Sequence, residues 1–111
     1  MSCIFCKIVN KEIPAAVIYE DDQILAFRDV SPQAPAHVLV IPKEHIASVD
    51  EVTPENCSVV AHIFARIPEI AKTLDVEGGY RVVTNCEEEA GQTVFHLHFH
   101  ILGGRRMGPM G

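Results

Sequence analysis

The chain has 111 residues, with 9 Lys and Arg against 15 Asp and Glu and a formal net charge of −6 at pH 7. That length holds one domain, residues 1–111, and 48% hydrophobic with 22% charged residues excludes the disordered and low-complexity classes. The acidic balance argues against a nucleic-acid polymer as partner, because backbone phosphates are held by clustered Lys and Arg, and here Arg105-Arg106 is the one basic doublet.

In chain order, residues 4–10 suit a short N-terminal helix, and Glu12-Ile13-Pro14 breaks it. Ala16 to Tyr19 and Ile24 to Arg28 read as strands joined by the tight turn Glu20-Asp21-Asp22, a hairpin over 16–28. Asp29 to Ala36, with Pro32 and Pro35, must be irregular. His37 to Ile41 is a near-continuous apolar run that fits a central strand buried on both faces. Thr53-Pro54 marks a helix start, and Val59, Ile63, Ile67, Ile70 and Leu74 then recur as one apolar stripe, with Pro68 expected to kink the helix. After Gly78-Gly79 a strand is expected over Tyr80 to Asn85, then a polar loop through Glu87 to Gly91, then a last strand over Thr93 to Leu102. The pattern predicts an α+β fold with a five-stranded antiparallel sheet, one long helix and a short N-terminal helix.

No apolar run approaches the roughly 20 residues that span a bilayer, and the N-terminus lacks the features of a secretory signal. No membrane association is therefore expected. The expected compartment is the cytoplasm, where Cys3, Cys6, Cys57 and Cys86 serve as thiols or metal ligands rather than disulfides. An acidic protein can still bind a small anion, since a few backbone amides and imidazoles suffice to hold one phosphate.

The most informative stretch is His96-Leu97-His98-Phe99-His100-Ile101-Leu102. Side chains two apart on a strand share a face, so three imidazoles line one face while Leu97, Phe99 and Ile101 pack behind them. A single zinc held by all three is opposed by geometry. His96 and His100 lie roughly 13 Å apart on a strand rising about 3.3 Å per residue, beyond imidazole reach onto one ion. The strand is thus expected to divide between roles.

This pattern resembles the histidine triad (HIT) family, whose motif alternates histidine with apolar residues. The resemblance extends over Ile4-Phe5 with Lys7-Ile8, Glu12-Ile13-Pro14-Ala15, Ala26-Phe27-Arg28-Asp29, Ser31-Pro32-Gln33-Ala34-Pro35, His37, Val40-Ile41-Pro42-Lys43, Gly79-Tyr80-Arg81, Asn85 and Gly91-Gln92-Thr93-Val94. Gly103-Gly104-Arg105 and Gly108-Pro109 look like the Hint branch. The resemblance implies a homodimer whose sheets join, binding a purine nucleoside 5′-monophosphate and hydrolysing the P–N bond of nucleoside phosphoramidates. It implies His98 as nucleophile, His100 on the phosphate oxygens, His37 orienting the nucleophile and Thr93 serving the leaving group, with no cofactor for catalysis. Chemistry agrees: a neutral imidazole is a good nucleophile near pH 7 and its phosphoryl adduct is labile to water.

For the nucleotide, the resemblance implies Phe5, Ile8, Phe27, Val30 and Leu39 around the base and Asp29 on the ribose hydroxyls. It places Asn85 by the ribose or phosphate, and Gly91, Gln92 and Thr93 beside the phosphate with His98 and His100. Asp29 alternatively caps the proline-rich turn that follows it. Cys3 and Cys6 have a spacing suited to zinc, and in relatives with this pair two histidines complete the site, here His45 and His96. Free thiols are the other reading. A dinucleoside polyphosphate hydrolase on the same site, a catalytically weak nucleotide-binding module and a zinc-stabilised scaffold are the rival functions.

Overall fold

The computed structural model describes residues 3–110; the outermost residues of the expected domain, Met1, Ser2 and Gly111, lie outside them. Five strands, β1 (Val17–Glu20), β2 (Ile24–Arg28), β3 (Ala36–Pro42), β4 (Tyr80–Val83) and β5 (Phe99–Gly103), form one sheet in the order β1-β2-β3-β5-β4. Every neighbouring pair is antiparallel. The helices are α1 (Ile4–Val9) and α2 (Ser58–Ala71).

All seven residues of β3 are buried, as its unbroken apolar run requires of a strand covered on both faces. Alternation then sorts the core into two layers. Ile24, Ala26, Val38, Val40, Phe99 and Ile101 form one cluster with the α2 stripe, Val59, Ile63, Ile67 and Ile70. Leu25, Phe27, Leu39 and Ile41 form the other with Phe5 and Ile8 of α1. Truncating a fully buried member such as Ile63 to Ala would cost about 2–5 kcal/mol.

Helical hydrogen bonding starts at Thr53, as expected: its carbonyl accepts from Cys57 N at 2.9 Å and its hydroxyl from Glu55 N and Asn56 N at 3.2 and 3.3 Å. That first turn is irregular, so α2 itself begins four residues later than Pro54, at Ser58. The helix runs through Pro68 and stops at Ala71, so Leu74 is buried from the turn beyond it. No helix is long and apolar enough to cross a membrane among the described residues.

Two strand boundaries differ from expectation by more than one residue. β4 stops at Val83, leaving Thr84 and Asn85 outside it. The last strand starts at Phe99, so of the three triad histidines only His100 lies in β5. The reason lies on the neighbouring strand. With Val40 opposite Phe99, Leu97 falls opposite Pro42, which has no N–H to donate. The ladder ends there, and Leu97 N instead donates to Ile46 O at 2.6 Å. The face pattern survives without the ladder: Leu97, Phe99 and Ile101 are buried in the α2 layer, as expected.

Candidate functional site

Leaving the ladder frees the first two triad rings to turn in different directions. The His96 ring donates from Nε2 to Pro42 O at 2.8 Å, the carbonyl that a continued ladder would have claimed. That hydrogen bond puts the proton on Nε2 and leaves Nδ1 as a lone pair. Nδ1 faces Cys3 Sγ at 3.4 Å, Cys6 Sγ at 3.6 Å and His45 Nδ1 at 3.2 Å, with Cys6 Sγ also 3.3 Å from His45 Nδ1. The four donor atoms lie within 4.8 Å of one another.

Those spacings can be tested against a metal. A tetrahedron with zinc–sulfur bonds of about 2.3 Å and zinc–nitrogen bonds of about 2.05 Å has edges of roughly 3.3 Å between nitrogens and roughly 3.55 Å between nitrogen and sulfur. The chain's own spacings match both, so Cys3, Cys6, His45 and His96 fit a tetrahedral Cys2His2 site. Burial, joined by the neighbouring Cys3 thiol, pushes the Cys6 thiol up to about 11. A coordinated cation reverses that effect, because a liganding thiol is deprotonated.

The His98 ring turns back on its own segment, donating from Nδ1 to His96 O at 2.7 Å. Its Nε2 therefore carries the lone pair. Phe5 packs edge-on against this ring, centroids 5.1 Å apart, and also against His96 and Phe27 at 5.9 and 5.5 Å. The Thr84 hydroxyl donates to His98 O at 2.8 Å. His100 follows on β5 with its ring centroid 5.0 Å from that of His98.

His37, on β3, meets His100 across the sheet, Nε2 to Nδ1 at 2.9 Å, and its Nδ1 accepts from Gln33 N at 3.0 Å. A neutral imidazole that accepts at Nδ1 donates at Nε2, so His37 Nε2–H donates a hydrogen bond to His100 Nδ1 and His100 carries its own proton on Nε2. Asp29 Oδ2 lies 3.5 Å from His37 Nε2, while Oδ1 accepts from Ser31 N at 2.7 Å. The expected turn-capping contact and a position beside the histidines thus coexist in one carboxylate.

Burial lowers all four histidine pKa values. His100 falls to about 4 through burial and then through His98 and His37, with Asp29 opposing. His96 also falls to about 4, chiefly by burial, against the Pro42 hydrogen bond. His98 and His37 are lowered by burial against the pull of Asp29, which the bond to His96 O assists at His98. The rings are therefore neutral at pH 7, each with one defined lone pair.

Phe5, Ile8, Phe27 and Leu39 come together as one buried apolar cluster, whereas Val30 stands apart from it, 98% exposed in the loop after β2. Asn85 lies beside Gly91, where a Cβ would sit 3.9 Å from Asn85 Nδ2. Gly91 has φ +96°, a left-handed conformation that favours glycine. The backbone amides of Gly91 and Gln92 donate to Glu88 O and Glu87 O at 3.0 and 3.1 Å. Gln92 is a buried clamp: its amide reaches Ala47 O, Val94 O and Glu87 N. Thr93 is exposed on a groove shared with Lys7 and Phe95 beside the Cys/His cluster. It makes no hydrogen bond to an imidazole among the described residues.

Sequence reasoning missed Gln33 N, Pro42 O and Thr84 as partners of the histidines, since backbone groups and a lone threonine carry no motif. His62, which the sequence reads as a packed or exposed histidine of the long helix, lies in α2 with its Nε2 2.7 Å from Asp21 Oδ2, which also accepts from the Tyr19 hydroxyl at 2.8 Å, on the opposite face of the sheet.

The HIT domain family model matches residues 10–107. An uncharacterised HIT-like protein of Synechocystis is 52% identical over 102 residues, 92% of this chain and 90% of that one. Among solved structures, a HIT family hydrolase from Clostridium thermocellum superposes with a TM-score of 0.95 at 49% identity, covering 98% of this chain and 96% of its own. A histidine triad nucleotide-binding protein from Candida albicans gives 0.82 at 32% identity, covering 99% and 85%. With its alternating histidines, five-stranded sheet and near-complete match to these proteins, the chain belongs to the HIT family.

Proposed function

We propose that the chain is a purine nucleoside 5′-phosphoramidate hydrolase that works through a covalent nucleotidyl-His98 intermediate. The observation that carries this reading is the His98 ring, whose Nδ1–H is tied to His96 O so that Nε2 presents its lone pair beside His100. Hydrolase activity and nucleotide binding are named for the two solved relatives above.

In the first half-reaction His98 Nε2 attacks phosphorus, the P–N bond breaks and the amine departs with a proton taken from solvent. In the second, water attacks phosphorus and gives a proton back to solvent, the P–Nε2 bond breaks and the nucleoside monophosphate leaves, returning the lone pair to Nε2. One difficult displacement becomes two easier ones. His100 Nε2–H, supplied through the His37 hydrogen bond, donates to a non-bridging phosphoryl oxygen, where oriented donors matter most. Phe5, Ile8, Phe27 and Leu39 would floor the base pocket, with Val30 at its rim and Asp29 on the ribose. Asn85, Gly91, Gln92 and Thr93 would border the phosphate, Thr93 through its free hydroxyl toward the leaving group.

Cys3, Cys6, His45 and His96 would hold a structural zinc, and no step passes through it. Its chemistry is a crosslink between α1, the segment after β3 and the approach to β5. The homodimer belongs to the same reading, with the two sheets joining through an outer edge of the sheet, β1 or β4. The reading keeps the cytoplasm as compartment, and neither a membrane nor a nucleic-acid polymer as partner.

The test is steady-state release of AMP from adenosine 5′-phosphoramidate and from a diadenosine polyphosphate by the parent protein and His98→Ala. Preferential, His98-dependent cleavage of the phosphoramidate supports the proposal. Preference for the dinucleotide moves the protein to the rival hydrolase, and AMP binding without turnover makes it a binding module.

A further inference from the structure

We propose that Arg105 is a positioning residue: its guanidinium holds the loop between β2 and β3 so that the Gln33 amide keeps His37 in the tautomer that donates to His100. The inference rests on the reading of His98 and His100 as the reacting site. It concerns how the proton on His100 is placed.

The loop has little of its own to hold it. Pro32 and Pro35 remove two donors, and the remaining internal bonds are Ser31 N to Asp29 Oδ1 at 2.7 Å and Gln33 Nε2 to Ser31 O at 3.2 Å. Its anchorage to the body falls on two elements. At its foot Asp29 N donates to His37 O at 3.0 Å, and at its crest Gln33 is gripped from both sides. The Gln33 N–H donates to His37 Nδ1 at 3.0 Å, and the Gln33 carbonyl accepts from Arg105 Nη2 at 2.9 Å. Arg105 stands two residues past the end of β5. Gly104, at φ +92°, turns the chain so closely past the loop that a Cβ there would stand 2.9 Å from Pro35 Cβ. Gln33 is therefore held on one side by His37 of β3, which itself meets His100 of β5, and on the other by Arg105 beyond β5.

The consequence is a matter of proton accounting. A neutral imidazole has one N–H and one lone pair, and its partners decide which nitrogen holds which. With Gln33 N–H aimed at Nδ1, the His37 proton sits on Nε2 and points at His100 Nδ1. His100 then carries its proton on Nε2, free for a phosphoryl oxygen. Asp29 Oδ2, 3.5 Å from His37 Nε2, favours the same tautomer, and it too is held by the loop's anchorage. If the Gln33 amide drifts away, His37 gains access to the Nδ1–H form. Its Nε2 then becomes an acceptor, His100 must place its proton on Nδ1, and a bare lone pair faces the phosphoryl oxygen.

The experiment compares Arg105→Met, which keeps the apolar stem, with Arg105→Lys and with Gln33→Ala, which retains the backbone N–H and carbonyl. Tautomers are read from 15N NMR of the imidazoles in the folded protein, and kcat and KM from phosphoramidate turnover. The expected result is loss of the pure His37 Nε2–H signature in Arg105→Met, with kcat down about tenfold and KM little changed. Arg105→Lys should recover part of both effects, and Gln33→Ala should show neither. An unchanged His37 signature in Arg105→Met overturns the proposal, whatever happens to turnover. If the parent protein cleaves no phosphoramidate, the NMR comparison still decides this inference, so its failure is distinguishable from failure of the functional reading.

Discussion

Replacing Cys6 by Ser removes one corner of the Cys3–Cys6–His45–His96 tetrahedron, whose donor spacings of 3.2 to 3.6 Å match those expected around zinc. A metal bound by the folded but not the unfolded chain stabilises by RT ln(1 + [L]/Kd), about 2.7 kcal/mol at 100 times Kd and about 4.1 at 1,000 times. In a domain of this length each kcal/mol moves Tm by about 4–8 °C, so loss of the metal should lower Tm by roughly 10–30 °C. The assay is elemental analysis of the purified protein with thermal melts before and after chelation. Parent protein should carry one zinc and lose stability to chelator, Cys6→Ser should carry none and ignore chelator, and exposed Cys57→Ser should behave as parent. A zinc-free parent whose melt is unmoved by chelator and by added zinc would refute the reasoning.

Three other outcomes are expected. His98→Ala should abolish turnover while retaining AMP affinity, since the ring supplies the attacking lone pair rather than the base pocket; measurable covalent turnover in this variant would defeat the mechanism. Acid should weaken the fold from about pH 6.5 downward: His100 is neutral in the folded protein until about pH 4, so the unfolded chain binds the extra proton and stability falls as pH drops through that window. A His100→Asn variant should flatten the melt-against-pH slope there, and an unaltered slope would count against it. Asp21→Asn should cost about 2 kcal/mol by chemical denaturation, because one side chain accepts from His62, Tyr19, Gln23 N and Ile24 N. Burial disfavours that carboxylate, yet those donors outweigh it and hold its pKa well below the usual range, so the contribution is present above about pH 4 and fades below it. A cost within error of zero would show the cluster to be ornamental.

Much of this was legible in the chain. Unbroken hydrophobicity over His37 to Ile41 demanded a doubly covered strand, and the stripe from Val59 to Ile70 demanded a helix packed on one face. Period-2 alternation from Leu97 to Ile101 placed the apolar side chains in the core even where the ladder is absent, because an extended backbone alternates with or without a partner. The spacing also set His96 and His100 too far apart to share one ion, and they have different partners in the fold.

What periodicity could not reveal was where hydrogen bonding stops and which nitrogen of each ring is protonated. Pro42 ends the β3–β5 ladder only because register sets it opposite Leu97, a pairing that joins residues far apart in the chain. The tautomers of His37, His96 and His98 are set by Gln33 N, Pro42 O and His96 O, groups that every residue type carries and no motif records. The Gln92 side chain is tied to Glu87 N, Ala47 O and Val94 O, since an amide side chain serves either end and only its surroundings choose. The sequence by itself determined which residue types were present for the chemistry and which faces they would take, because those depend on local backbone geometry. Tertiary structure alone decided which lone pair faces which partner, because a hydrogen bond is settled by a few tenths of an ångström between groups that meet only when the chain has folded.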